Sequence, residues 1–319
     1  MLNRRILRIK AFKVLFSSAL SENMSLAHAE SMLEQSCEST RDLYIYMLGI
    51  VSPLTKTARE KIEAAKAKFN PTEEEKNPNM KFADNALARL LDEDVDFQKV
   101  FNKKKFSWAQ YDVLLNNVMK SIASKDYYKK YMESPKSSLD EDCRLFTRIF
   151  EEEFVDSVEL EQILEEKSMH WNDDLAYALT WCCKTFKELA KGESWSLIPL
   201  YQSEMMDGDG VESDKAFVRK LLQASFAGYE RYSAMVAESV TGWEKERLFS
   251  TDVVLIVMGL AEAVTFPSIP VKVTMNEYVE ISKFFGTPKS RSFVNGLLDR
   301  LVQQMVNEGK IVKEGKGLL

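Results

Sequence analysis

The sequence predicts an all-α protein. Glycine and proline are scarce, 12 and 8 in 319 residues, which disfavours turn-rich β architectures. Apolar residues recur at three- and four-residue steps through most of the chain. The 45% apolar fraction supplies core for one large domain or two ordinary ones.

The first helix shows the pattern most clearly. Leu7, Ala11, Val14, Leu15 and Ala19 form one stripe of about four turns. Arg4, Arg5, Arg8, Lys10 and Lys13 stand on the same segment, which has no acid. Lys13 interrupts the apolar run and no small-residue cleavage site follows, so a secretory signal is not expected. An organellar presequence is the compositional alternative. Leu43, Met47, Ile50 and Leu54 continue the helical period ahead of KTAREKIEAAKAK. Residues 70–82, PTEEEKNPNMKFA, read as a linker or long loop. Helices resume at DNALARLLDED and WAQYDVLLNNVMKSI and break at ESPKSSLDED. Residues 139–167 then hold eleven acids against three bases. Leu145, Ile149, Phe154, Val158 and Leu160 still give that run an inner face, so its acids read as a solvated face. Residues 145–171 resemble 216–243, aligning Phe146 with Phe217, Arg148 with Arg219, Phe154 with Phe226 and Trp171 with Trp243, which marks a weak internal repeat. Residues 201–215 form a solvated connection. Asp207, Asp209 and Gly210 miss the calcium-loop register, because Ala216 stands where the closing glutamate is required. Ser213 is placed to cap the next helix.

Little in the chain points to catalysis. Nucleotide-loop, zinc-protease and nucleophile-elbow motifs are absent. Four cysteines without CxxC spacing and two histidines make neither a zinc site nor a disulfide framework. Asp173 and Asp174 are explained by helix capping from Asn172 or Asp173. No cofactor and no metal are expected, and no apolar stretch reaches membrane-span length. A reduced, cytoplasmic binding protein is the plain reading. The net charge of -6 argues against generic nucleic-acid binding, but the basic first helix departs from that average. Cations in a helix's first turns oppose its macrodipole, and a phosphate chain across Arg4, Arg5 and Arg8 would relieve their repulsion.

The C-terminal third carries the most specific pattern, IPVKVTMNEYVEISKFFGTPKSRSFVNGLLDRL (269–301). An Asn-Glu-x-x-Glu helix ends in Lys-x-Phe-Gly, and a short loop precedes Phe-Val-Asn-Gly-x-Leu-Asp. Together with GWEKERLFSTDVVL (242–255) and RRILRIKAFKVLF (4–16), it resembles the NusB family of bacterial transcription antitermination factors. The resemblance covers roughly residues 1–30 and 214–310. It implies an all-α pair of small helical bundles, here divided into 1–39, an inserted set of helices over 40–212, and 213–319. It also implies boxA RNA of ribosomal leaders, the ribosomal protein NusE and the transcription elongation complex as partners. Arg4, Arg5, Arg8, Lys10, Lys283, Phe285, Lys289 and Arg291 become candidate RNA contacts. Phe16, in place of the family's tyrosine, and Glu262, in a helix lacking the family's arginine and tyrosine, match surfaces used toward NusE. At the joint, Gly286 is expected in a left-handed cap with Pro288 blocking continuation. Gly296 is expected to allow close helix approach, and Asn295 to tie loop backbone. Two other readings remain open: a scaffold that has lost RNA binding, and an RNA-modification accessory protein. The latter lacks a following Gly-rich cofactor domain in this sequence.

Overall fold

The computed structural model describes residues 1–21, 24–171, 173–192, 195–202, 213–240 and 250–318. Helices dominate, and among the described residues the β contact is an isolated parallel bridge, Leu2 with Tyr201. In chain order the helices are α1 (Arg4–Leu20), α2 (Leu26–Leu48), α3 (Val51–Lys66), α4 (Glu73–Lys76), α5 (Ala86–Glu93), α6 (Val95–Lys103), α7 (Asp112–Ser124) and α8 (Asp126–Glu133). They continue with α9 (Leu139–Ile149), α10 (Val158–Lys167), α11 (Leu175–Ala190), α12 (Asp214–Ser239), α13 (Ser250–Thr265), α14 (Val271–Phe285) and α15 (Ser290–Asn307). Two compact units result. The first joins Met1–Cys37 to Pro199–Leu319, and the second is Glu38–Ile198. The division falls inside α2, and the second unit ends earlier than the 40–212 insertion read from sequence.

The first unit is built around α13. Val254, Leu255, Ile256, Val257, Met258, Leu260, Ala261 and Ala263 are all buried, so α13 is apolar on every side and needs neighbours on every side. α1, α12, α14 and α15 supply them. Gly259 permits the approach, since a Cβ there would lie 2.9 Å from Leu298 and 3.3 Å from Tyr278. α1 contributes Leu7, Ala11, Val14 and Leu15 of the predicted stripe together with Phe12, while Ala19, the last member of that stripe, is exposed. Each such side chain, fully buried, contributes about 1.5–3 kcal/mol. Asn3 caps α1 by accepting from the Ile6 amide at 3.0 Å, and Ser213 caps α12 by accepting from Ala216 at 3.3 Å, as its position predicts.

The second unit packs α9 against α11, with α3, α5, α7 and α8 around them. Phe82, Phe146, Phe150, Phe154 and Phe186 fill its core. Residues 70–82 differ from the expected loop. Thr72 and Glu75 form a capping box that starts the one-turn α4, and Phe82 is buried, stacked 5.7 Å from Phe146. The two repeat-like segments also fold differently. Residues 145–171 break into α9, a π-turn at Phe150–Phe154, α10 and a 3-10 turn, whereas 216–239 stay within one helix. Trp243 lies outside the described residues, as do Asn172, Asp207, Asp209 and Gly210. Asp174, not Asp173, holds the N-cap position of α11, and its carboxylate accepts from Thr40 Oγ1 at 2.5 Å.

The cysteines are all free and buried. Burial pushes the Cys143 thiol up to about 12 and Cys183 to about 11, far from a reactive thiolate. Among the described residues, no group of His, Cys, Asp and Glu could hold a metal ion. No described helix is long and apolar enough to cross a membrane.

Candidate functional site

The basic face of α1 meets acids from three other helices of its unit. Arg8 is 3% exposed and Glu262 0%. The guanidinium donates twice to the carboxylate, Nε to Oε2 and Nη2 to Oε1, both at 2.7 Å. Thr274 Oγ1 and Tyr278 OH each donate to Glu262 at 2.9 Å. Four donors therefore satisfy this carboxylate among the apolar residues of α13, which is what makes its burial tolerable. Burial alone would lower the Arg8 pKa, but Glu262 reverses this and holds the guanidinium firmly charged. Burial and the Glu262 charge together push the Tyr278 hydroxyl up, keeping it a donor.

Two further arginines are engaged nearby. Arg5 donates bidentately to Glu277, at 2.9 and 2.7 Å, with Arg8 Nη1 3.6 Å from the same carboxylate. Burial raises the Glu277 carboxyl, but the Arg5 hydrogen bonds and the two positive charges outweigh it and leave the group below its ordinary value. Arg4 reaches Asp214 at 3.3 Å. The guanidinium carbons of Arg4 and Arg8 lie 4.6 and 5.1 Å from the centre of the Phe217 ring.

These contacts correct several expectations. Arg8 is a buried structural cation with an internal partner, so it is not placed to meet phosphates. Glu262 is occupied by Arg8, Thr274 and Tyr278, so it is not a free carboxylate awaiting NusE. Lys10, 1% exposed, is also removed from solvent. Arg5 remains exposed and Arg4 partly so. Together with Arg8, Ile269, Pro270 and Glu277 they line a surface cavity of about 530 Å³.

A second cationic group sits where α14 gives way to α15. Lys283, Lys289 and Arg291 are exposed, and Lys283 pairs with Glu280 at 2.5 Å. Phe285 is half-buried. Its ring lies 5.2 Å from Phe12, with Lys13 Nζ 5.6 Å from the ring centre, so one face of this candidate is already covered. Phe16 stacks on Phe12 at 6.1 Å and keeps partial exposure. Phe284 fills the variable place of the Lys-x-Phe-Gly pattern, so no motif singles it out, yet it is 76% exposed.

The joint works differently from its prediction. Gly286 has φ −108° and ψ −172°, extended rather than left-handed. Its lack of a side chain matters for space: a Cβ would lie 2.4 Å from Ser290 Cβ and 2.7 Å from the Ser282 carbonyl. Ser290 accepts from the Thr287 amide at 2.8 Å and donates to buried Asp252 at 2.9 Å, tying the joint to α13. Burial raises the Asp252 carboxyl, with the Ser290 bond offsetting part of the effect. Gly296 faces open space, where an added Cβ would meet no described neighbour within 4 Å, and Asn295 is exposed on α15. Neither has the role expected of it.

A model of the NusB family matches residues 187–303. Transcription antitermination protein NusB of Salinibacter ruber is 29% identical over 134 residues, covering 38% of this chain and 84% of the relative. The Alkaliphilus oremlandii protein of that name is 27% identical over 110 residues, covering 34% and 80%. That of Chloroherpeton thalassium is 31% identical over 105 residues, covering 33% and 50%. No solved structure gives a significant match. The family match runs through α12 to α15, and over about a third of its length the chain is similar to NusB transcription antitermination proteins.

Proposed function

We propose that this chain is a non-enzymatic, cytoplasmic antitermination factor that binds boxA-type ribosomal leader RNA together with NusE, in contact with the elongation complex. The observation that carries the reading is the α14–α15 joint. It lies within the family match and presents Lys283, Lys289 and Arg291 to solvent around partly exposed rings. Charge for phosphates beside aromatic surface for splayed bases is the combination single-stranded RNA requires. Arg5 and Arg4 add the α1 contribution, and Phe16 is the candidate contact for NusE. Titration of labelled boxA leader RNA with the full chain, with and without NusE, tests the proposal. Specific binding that NusE strengthens is the expected result; affinity no better than for a scrambled RNA refutes it.

One observation favours a second reading, a helical scaffold without RNA binding. Arg4, Arg5 and Arg8 are each engaged by an acid of the same unit, so α1 is less free for phosphates than its sequence implies. The same titration separates the two.

A further inference from the structure

Among the described residues of the first unit, Phe284 is the one aromatic side chain left largely in solvent. It ends a row. Val273, Glu277, Glu280 and Phe284 follow one another at four-, three- and four-residue steps and share one face of α14. From Val273 to Phe284 the row spans about 16 Å. Both ends carry unburied apolar surface, Val273 at 44% and Phe284 at 76% exposure. At the Val273 end opens the cavity lined by Arg4 and Arg5. At the Phe284 end stand exposed Lys283, Lys289 and Arg291. The two acids between are already matched, Glu277 by Arg5 and Glu280 by Lys283.

We propose that Phe284 is a base-stacking platform, and that a single RNA strand runs along this face of α14 from the arginine-lined cavity to the α14–α15 joint. The inference rests on the RNA-binding reading above and adds a residue and a path to it. Leaving a phenylalanine in water forfeits the gain from its burial, and the cations around it complement a polyanion. A protein partner anchored on Phe284 would find charge and Pro288 at its rim instead of the apolar core such anchors use. A base needs only the ring face, with phosphates falling to the flanking cations.

The test uses the full chain and a fluorescently labelled single-stranded RNA containing boxA, followed by anisotropy over a range of salt. Because Phe284 is exposed, Phe284→Ala leaves the fold intact, as circular dichroism would verify. The expected result is a roughly five- to hundredfold loss of affinity, the loss of one base stack. The slope of log affinity against log salt should not change, since no phosphate contact is removed. Phe284→Trp and Phe284→Tyr should restore binding, and Phe284→Leu should not. Wild-type affinity in Phe284→Ala overturns the platform while leaving RNA binding standing. Full rescue by leucine overturns stacking in favour of a simple apolar contact. Absence of RNA binding by the unmodified chain overturns this inference together with the reading beneath it. If Phe284→Ala weakens association with NusE alone, the surface is a protein contact and the inference fails.

Discussion

Replacing Arg8 by alanine would strip Glu262 of the guanidinium that neutralises it. The carboxylate sits at 0% exposure in α13 and would keep the Thr274 and Tyr278 hydroxyls. Two charge-assisted bonds of 2.7 Å disappear, each worth about 1.5–3 kcal/mol, and a charge is left in an apolar interior. Breaking a buried pair from one side costs about 3–5 kcal/mol. The two units need not unfold together, so a single melting temperature would mix their responses. Hydrogen exchange read on peptides from α1, α13 and α14 isolates the first unit. Protection there should fall by more than about a hundredfold, with peptides of α9 and α11 unchanged. The double variant Arg8→Met, Glu262→Leu should recover much of the loss, because apolar replacements of similar size leave no orphan charge. Unaltered exchange in α13 of Arg8→Ala, or a double variant no better than the single one, would refute the account of the pair.

Three other outcomes follow from the same geometry. Gly286→Ala should destabilise the first unit by about 1–3 kcal/mol through collision with Ser290 and the Ser282 carbonyl, whereas Gly296→Ala, facing open space inside α15, should stabilise it by about 0.5–1 kcal/mol; equal effects in a urea titration would contradict both. Glu277→Gln should release Arg5 for phosphate and steepen the salt dependence of RNA binding by about 0.7 log units, and an unchanged slope would show that Arg5 plays no part. Since Glu277 is depressed in the folded state, its contribution to stability should be complete above the ordinary carboxylate value of about 4.3, and fade as pH falls through the lower folded value. A pH series of exchange in α14 should show that loss in the wild type and not in Glu277→Gln.

What can be read from the sequence is local. The α1 stripe, the Ser213 cap and the end of α14 at Gly286 each depend on residues within a few positions of one another, and the cap, the helix end and the stripe up to Leu15 are found. The reason for the glycine at 286 is not legible in the same way, because a tight contact with Ser290 and a left-handed cap leave the same trace in one sequence. Arg8 and Glu262 lie 254 positions apart, and no periodicity connects them. An arginine on an acid-free helix looks available until the fold delivers its carboxylate. Thr274, Glu277 and Tyr278 stand at three- and four-residue steps on the inner and lateral faces of α14. That spacing is the one signal in the sequence that groups them. Phe284 escapes a reading of motifs because its neighbour Phe285 carries the family pattern, and exposure is a property of packing.

The division of the chain inside α2 has a temporal side. During synthesis at about 5–20 residues per second, α1 would emerge roughly 13–50 s before Glu262, with Leu7, Phe12 and Leu15 still lacking the helix that covers them. Residues 38–198 are complete in that interval and have a core of their own, so they can fold while α1 waits. Once folded, they remove most of the chain entropy that closing so long a loop would otherwise cost. By the order of the chain alone, the first helix meets the rest of its bundle only after the whole intervening unit has been made.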